Sequence, residues 1–324
     1  MLYLSHNRSR RNSVKDKIIV IVGPTAVGKT ALSIELAKTF NGELINGDSM
    51  QVYRGLDIGT AKVTEKEAEG LPHHLIDIKD PIDPFSVSDF KEAASQKISE
   101  ITERGKLPII VGGTGLYIES LLYDISHGGE AKPNQAFRDE MDSLAREDGR
   151  EALHEKLREK DPASAEQIHP NNVRRVIRAL EVIHETGQPF SKYQSEKKKE
   201  PLYDAFVIGL TTDRTLLYDR INRRVDQMME SGLLEEAEEL IKHVPEDAQS
   251  LKGIGYKELI PYIEGSMPLE EAVDTIKQHS RNYAKRQLTW FRNRFEIDQW
   301  ADLIEHPESI DTLKSQIKDH IGSD

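Results

Sequence analysis

The octapeptide GPTAVGKT, Gly23 to Thr30, has residue types and spacing that prescribe a chemistry. It completes the pattern G-x-x-x-x-G-K-[S/T] directly after the β-branched run Ile18 to Val22, and that context marks a phosphate-binding loop between a buried strand and a helix. Its glycines let backbone N–H groups turn inward, and the start of the following helix adds positive potential. Lys29 reaches terminal phosphates, and the Thr30 hydroxyl can ligate Mg²⁺. Gly23, Pro24, Thr25, Ala26, Val27, Gly28, Lys29 and Thr30 are therefore the candidate phosphate ligands. The bland alternative is an ordinary glycine-rich βα turn.

What the loop does with phosphate is less obvious. A nucleotide-hydrolysing site needs an acidic residue at the end of a neighbouring strand to hold Mg²⁺. The run Leu107 to Val111 ends instead in Gly112-Gly113-Thr114, and His74-Leu75-Ile76-Asp77 is a feeble substitute. A small-molecule phosphotransferase of the nucleoside-kinase type and an RNA-binding ATPase stay open without support from such an acid.

Three further strings follow expected strands, where a parallel sheet places its ligands. They are GDSMQVYR (Gly47 to Arg54), LDIGTAK (Leu56 to Lys62) and GGTGLY (Gly112 to Tyr117). From spacing alone, Asp48 is equally a turn cap or a base aimed into the crevice. Thr114 alone reads as a helix N-cap.

Basic residues supply the other chemistry. No acidic residue occurs from Thr275 to Phe295, yet Lys277, Arg281, Lys285, Arg286, Arg292 and Arg294 do. At helical spacing Arg281, Lys285 and Arg292 project to one side, with Ile276, Tyr283, Trp290 and Phe291 on the other. Arg174, Arg175 and Arg178 open a second helix that Asn171 or Asn172 can cap. Each cluster alone is as readily a solvated face with salt bridges, but the missing acidic partners favour an anionic ligand for the first.

The elements that must position these groups follow from the hydrophobic pattern. Strands are expected at Ile18–Val22, Glu43–Asn46, His74–Asp77, Pro108–Val111 and Ala205–Leu210. Helices separate most of them, including one capped by Ser86 that reaches about Arg104. Alternating β and α predicts an α/β fold, with a P-loop NTPase-like parallel sheet flanked by helices. The alternation lapses from about Asp124 to Lys199, where Asp161-Pro162 is a helix start. After Leu210 the expected elements are the helices Asp213–Met229, Leu233–Ile241 and Leu269–Arg294. The expected organisation is a tail at 1–17, a core at 18–125 and 200–324, and an all-helical insertion at 126–199.

Composition narrows the class. The 324 residues are 37% hydrophobic and 31% charged, with a net charge of −12. That balance opposes nonspecific nucleic-acid binding. There is no cysteine, and the eleven histidines never adopt H-x-x-x-H spacing, so disulfides, thiolate chemistry and a zinc site are not expected. No apolar run approaches the ~20 residues of a membrane span, and the first residues lack a signal-peptide core. A cytoplasmic monomer without membrane contact is expected.

Together the motifs resemble the tRNA dimethylallyltransferase family. The resemblance rests on GPTAVGKTALSIELA (Gly23 to Ala37), DSMQVYRGLDIGTAK (Asp48 to Lys62), PHHLIDI (Pro72 to Ile78), VGGTGLY (Val111 to Tyr117), IHPNNVRRVIRALEV (Ile168 to Val182), LKGIGYKEL (Leu251 to Leu259) and AKRQLTWFR (Ala284 to Arg292), in one order over about Ile18 to Trp300. It implies transfer of a dimethylallyl group from dimethylallyl diphosphate to the exocyclic amine of the adenine 3′ of the tRNA anticodon, with release of pyrophosphate. The loop would then bind the donor's diphosphate with Mg²⁺, which accounts for the missing acid.

The resemblance further implies roles by residue. Lys29, Thr30 and Arg224 would stabilise the leaving diphosphate, Asp48 would be the general base, and Ser49, Met50 and Gln51 would hold the flipped-out adenine. Thr114, Arg138, Arg174, Arg175, Arg178, Lys252, Gly253, Tyr256, Arg281, Lys285, Arg286 and Arg292 match positions that touch tRNA. The insertion would clasp the anticodon stem-loop. A relative that prenylates free adenine nucleotides is a rival within the class, disfavoured by the insertion and the basic helix.

Overall fold

The computed structural model describes residues 15–123, 131, 134–194 and 200–322. Among these described residues six strands are defined: β1 (Lys17–Val22), β2 (Gly42–Asn46), β3 (His73–His74), β4 (Leu107–Gly112), β5 (Asp204–Leu210) and β6 (Gln299–Ala301). They form one sheet in the order β3-β2-β4-β1-β5-β6, with every pairing parallel.

The sequence reason is β1. Ile18, Ile19, Val20, Ile21 and Val22 are fully buried, as a strand covered on both faces by helices requires. The chain leaves β1 toward β2 and β4 on one side and returns to β5 on the other. The crevice beyond the carboxyl end of β1 is thus the topological switch point where such sheets bind ligands. One layer of core joins Ile19, Ile21, Leu44, Ile109 and Ile208 of the sheet to Leu36 and Leu313 of flanking helices. Each such side chain contributes about 1.5–3 kcal/mol by leaving water.

Two compact units divide the chain, one within Met1–Leu122 and Pro201–Asp324, the other within Tyr123–Glu200. The second is helical, with helices Gln135–Glu147, Arg150–Lys160, Pro162–Gln167 and Val173–Thr186 around Met141, Leu153, Leu157, Val176 and Leu180. Asp161 caps the third, accepting the Ser164 N–H at 3.1 Å, and Pro162 opens it. Among the described residues no helix is long and apolar enough to cross a membrane.

Several expectations are corrected. β3 is only two residues long because Leu75 and Asp77 take φ of 63° and 56°, outside the strand region. β6 was not foreseen; it is a three-residue edge strand, too short for a periodic signal. Lys17 belongs to β1 and pairs with Asp204 rather than ending a tail. Asn172 occupies the N-cap of Val173–Thr186 without a side-chain bond. The expected tail up to residue 14, with residues 124–130, 132–133 and 195–199 in and beside the expected insertion, lies outside the described residues.

Candidate active site

A cavity of about 1660 Å³ opens in the larger unit where the switch point predicts it. Thr25, Ala26, Val27, Gly28, Lys29 and Thr30 form part of its wall. The loop reaches this shape through left-handed conformations at Ala26 (φ 64°) and Gly28 (φ 98°), and Gly28 stands at the N-cap of the helix Lys29–Thr39 with no side-chain capping bond. The first amides of that helix are thus left for a ligand. Gly23 and Pro24 serve from behind. Their carbonyls accept the Lys29 ammonium at 3.0 and 2.5 Å, and the Arg220 Nε–H braces the Ala26 carbonyl at 2.9 Å.

Lys29 is electrostatically prepared for an anion. Burial, seconded by the charge of Arg224, lowers its pKa to about 7, while Asp48 acts the other way. Arg224 lies on the helix Arg214–Glu230 and lines the same cavity. Its pKa is also drawn down, first by burial, with Asp48 and Glu67 opposing, but a guanidinium stays charged regardless. Two crowded cations with incomplete compensation favour a polyanionic occupant.

Asp48 caps a turn with one carboxylate oxygen and keeps the other for the cavity. Its Oδ1 accepts the Met50 N–H at 2.8 Å, which makes it a turn cap. Oδ2 accepts no hydrogen bond from the described residues, and the side chain lines the cavity. The turn itself is locked from beneath. The Gly47 N–H bonds the Val111 carbonyl at 2.8 Å, and Asn46 holds the Asp48 N–H and carbonyl at 3.0 and 3.1 Å. Gly112 is obligatory here, because a Cβ would sit 2.3 Å from the Gly47 carbonyl. Ser49, Met50 and Gln51 also line the cavity.

Thr114 is not a side-chain cap. Its Oγ1 accepts the Ser49 N–H at 3.0 Å, a tertiary demand that outweighs capping. Asp77, the feeble acid, is engaged by Lys62, whose Nζ lies 2.5 Å away. No side chain on the loop after β4 takes its place.

The loop Lys252–Tyr256 contributes Lys252, Gly253 and Tyr256 to the wall, and the helix Leu269–Arg294 contributes Arg286. Arg281, Lys285 and Arg292 do not line it. Lys285 and Arg292 are exposed, whereas Arg281 donates to Asn222 Oδ1 at 2.6 Å. The missing acidic partners were only missing locally: Lys277 pairs with Asp226 at 2.6 Å from another helix. On the opposite side Ile276 and Phe291 are buried, but Tyr283 and Trp290 are half-buried.

In the helical unit, Glu181 is fully buried and holds Arg138 at 2.7 Å and Arg178 at 2.7 Å. Those two arginines stabilise that unit before they touch anything else. Arg174 and Arg175 are exposed.

Pattern reading missed Gln287. It is buried, accepts the Thr25 N–H at 3.0 Å and donates to the Gly113 carbonyl at 2.9 Å, so it ties the phosphate loop to the end of β4. Tyr283, on the aromatic side of the same helix, also lines the cavity. Burial and then the charge of Asp48 hold its hydroxyl well above the ordinary phenol range. A buried glutamine on an otherwise apolar helical face was the available signal.

The fold and the cavity define a P-loop α/β protein whose phosphate loop faces a carboxylate-bearing turn. A family model described as IPP transferase matches residues 51–294. The chain is 57% identical over 300 residues to the tRNA dimethylallyltransferase of Bacillus cytotoxicus, covering 93% of this chain and 94% of that one. It is 54% identical over 311 residues to that of Bacillus subtilis, covering 96% and 98%. Among solved structures it is similar to the full-length tRNA isopentenylpyrophosphate transferase of Bacillus halodurans (TM-score 0.71, 51% identity, 94% and 97% covered). It is also similar to a eukaryotic dimethylallyltransferase acting on tRNA (TM-score 0.81, 31% identity, 94% and 79% covered). The chain belongs to the IPP transferase family, and the phosphotransferase and ATPase alternatives are not favoured.

Proposed function

We propose that the protein transfers a dimethylallyl group from dimethylallyl diphosphate to the exocyclic amine of the adenine 3′ of the anticodon in tRNA. The observation that carries this reading is that Lys29 and Asp48 face one cavity, so a donor diphosphate and an acceptor base can meet there. The allylic carbon–oxygen bond breaks, the carbon–nitrogen bond forms, and pyrophosphate leaves. Lys29, Arg224 and the loop amides stabilise charge growing on the leaving oxygen. Oδ2 of Asp48 takes the proton that becomes acidic as the amine is alkylated. Ser49, Met50 and Gln51 hold the ring once it leaves the anticodon stack, and the enzyme works as a cytoplasmic monomer.

No group of three or more acidic or histidine side chains suited to a metal occurs among the described residues. Thr30 lines the cavity, and its hydroxyl would be the protein's ligand to Mg²⁺. When bound, Mg²⁺ neutralises part of the diphosphate charge.

Exposed Arg174, Arg175, Lys285 and Arg292, with Arg286 at the cavity wall, supply phosphate contacts that offset a net charge of −12. Incubating the purified protein with Mg²⁺, dimethylallyl diphosphate and unmodified tRNA should give prenylated adenosine by mass spectrometry, with ATP hydrolysed at background rate. RNA-stimulated ATP turnover without prenyl transfer would overturn the proposal.

A further inference from the structure

One carboxylate behind the cavity wall is satisfied entirely by the wall. Glu236, on the helix Leu233–His243, accepts the N–H groups of Asp57 and Ile58 on Oε2 at 2.9 and 2.8 Å, and that of Gly59 on Oε1 at 2.9 Å. The Tyr256 hydroxyl donates to Oε1 at 2.7 Å. Three successive amides form an anion nest, and bonds to a carboxylate are roughly twice as strong as neutral ones. Glu236 does not line the cavity, but every residue it holds does.

The clamped loop needs holding. Ala61 adopts a left-handed φ of 48°, unfavourable for a residue with a Cβ. Gly59 lies so close to Tyr256 that a Cβ would come within 2.6 Å of its ring. Lys62 pins the far end, with Nζ at 2.6 Å from both the Tyr53 carbonyl and Asp57.

This loop decides how Gln51 presents itself. The carbonyls of Thr60 and Ala61 lie 3.0 and 3.5 Å from Gln51 Nε2. Carbonyls only accept, so the amide nitrogen must face them, and Oε1 is the end left for the cavity. An adenine amine carries two N–H groups, one for Asp48 and one for such an oxygen. A keto oxygen at the same place would meet Oε1 acceptor to acceptor.

We infer that Glu236 is a positioning residue that, by clamping the Asp57–Lys62 loop, fixes the sense of the Gln51 amide and so selects a purine with an exocyclic amine over one with a keto group. The inference rests on the proposed reaction. It is tested with anticodon stem-loops carrying adenine or hypoxanthine at the target position, using wild type, Glu236→Gln, Gln51→Ala, the double variant and the milder Tyr256→Phe.

Glu236→Gln replaces an accepting oxygen with a donor and should lower kcat/KM on the adenine stem-loop by roughly tenfold or more. Affinity for dimethylallyl diphosphate alone should stay within about twofold. The binding preference for adenine over hypoxanthine should fall to that of Gln51→Ala, and the double variant should be no worse than Gln51→Ala. Tyr256→Phe, which loses one contact of four, should shift the preference in the same direction. Multiplicative losses in the double variant, or lower activity with an unchanged preference in both Glu236→Gln and Tyr256→Phe, would reduce Glu236 to wall support and overturn the inference. Should wild type bind the stem-loops without prenylating them, the reaction fails but the binding preference still decides the role of Glu236.

Discussion

Thr114 Oγ1, just beyond one central strand, accepts the backbone N–H of Ser49, just beyond its neighbour, at 3.0 Å. Ser49 follows Asp48, and the Gly113 carbonyl before Thr114 is held by Gln287, which also holds the Thr25 N–H of the phosphate loop. Asp48 and the phosphate loop are thus joined by a short run of hydrogen bonds through rigid strand ends. Such a frame holds two reactants at a fixed separation and reduces the entropy cost of meeting.

Asp48→Asn separates the two jobs of that residue. Asparagine keeps an oxygen for the Met50 N–H but cannot take a proton. Turnover should fall by a factor of roughly 10²–10⁴, with dimethylallyl diphosphate affinity unchanged by titration. A variant that turns over normally would remove Asp48 as the base.

Donor affinity should depend on pH through Lys29. Its pKa of about 7 lies far below the usual 10.5, so above pH 7 the free protein increasingly holds it neutral. A bound diphosphate favours the ammonium and raises that pKa, so binding takes up a proton above about pH 7 and weakens as pH rises. Below pH 7 Lys29 is already charged, and its contribution levels off. Calorimetry in buffers of different ionisation enthalpy measures the uptake, which Lys29→Met should abolish at pH 8.

The exposed cations of the helix Leu269–Arg294 should govern the salt dependence of tRNA binding. Replacing Lys285, Arg286 and Arg292 with Gln should lower the slope of log affinity against log salt by roughly two units. Arg281→Gln should change it less, because that guanidinium is committed to Asn222. An unchanged slope in the triple variant would move the RNA path toward Arg174 and Arg175.

On the opposite side of that helix, fully buried Phe291 should matter more to folding than half-buried Trp290. Phe291→Ala should cost about 3–5 kcal/mol in chemical unfolding. Trp290→Ala should cost less, since part of its ring already meets water.

The sheet was legible wherever a strand is buried on both faces, because a run such as Ile18–Val22 admits little else. It was not legible at β3 and β6, where two or three edge residues carry no periodicity. The phosphate loop was legible because backbone geometry dictates its glycines. Asp48 was ambiguous in sequence since capping and catalysis favour the same residue type, and the structure assigns one oxygen to the turn and leaves the other accessible. Gln287, Glu236 and the Glu181–Arg138 pair were hidden, since their partners lie from 20 to 262 residues away and carry no local pattern.

Stoichiometry decides whether one cavity unites a donor diphosphate with an acceptor adenine. Pyrophosphate release and prenylated adenosine are counted in the same reaction with an anticodon stem-loop, dimethylallyl diphosphate and Mg²⁺. One pyrophosphate is expected per modified adenosine, and neither product when the target adenine is replaced by guanine. Pyrophosphate released without modified adenosine, or prenyl transfer that persists on the guanine stem-loop, would contradict it.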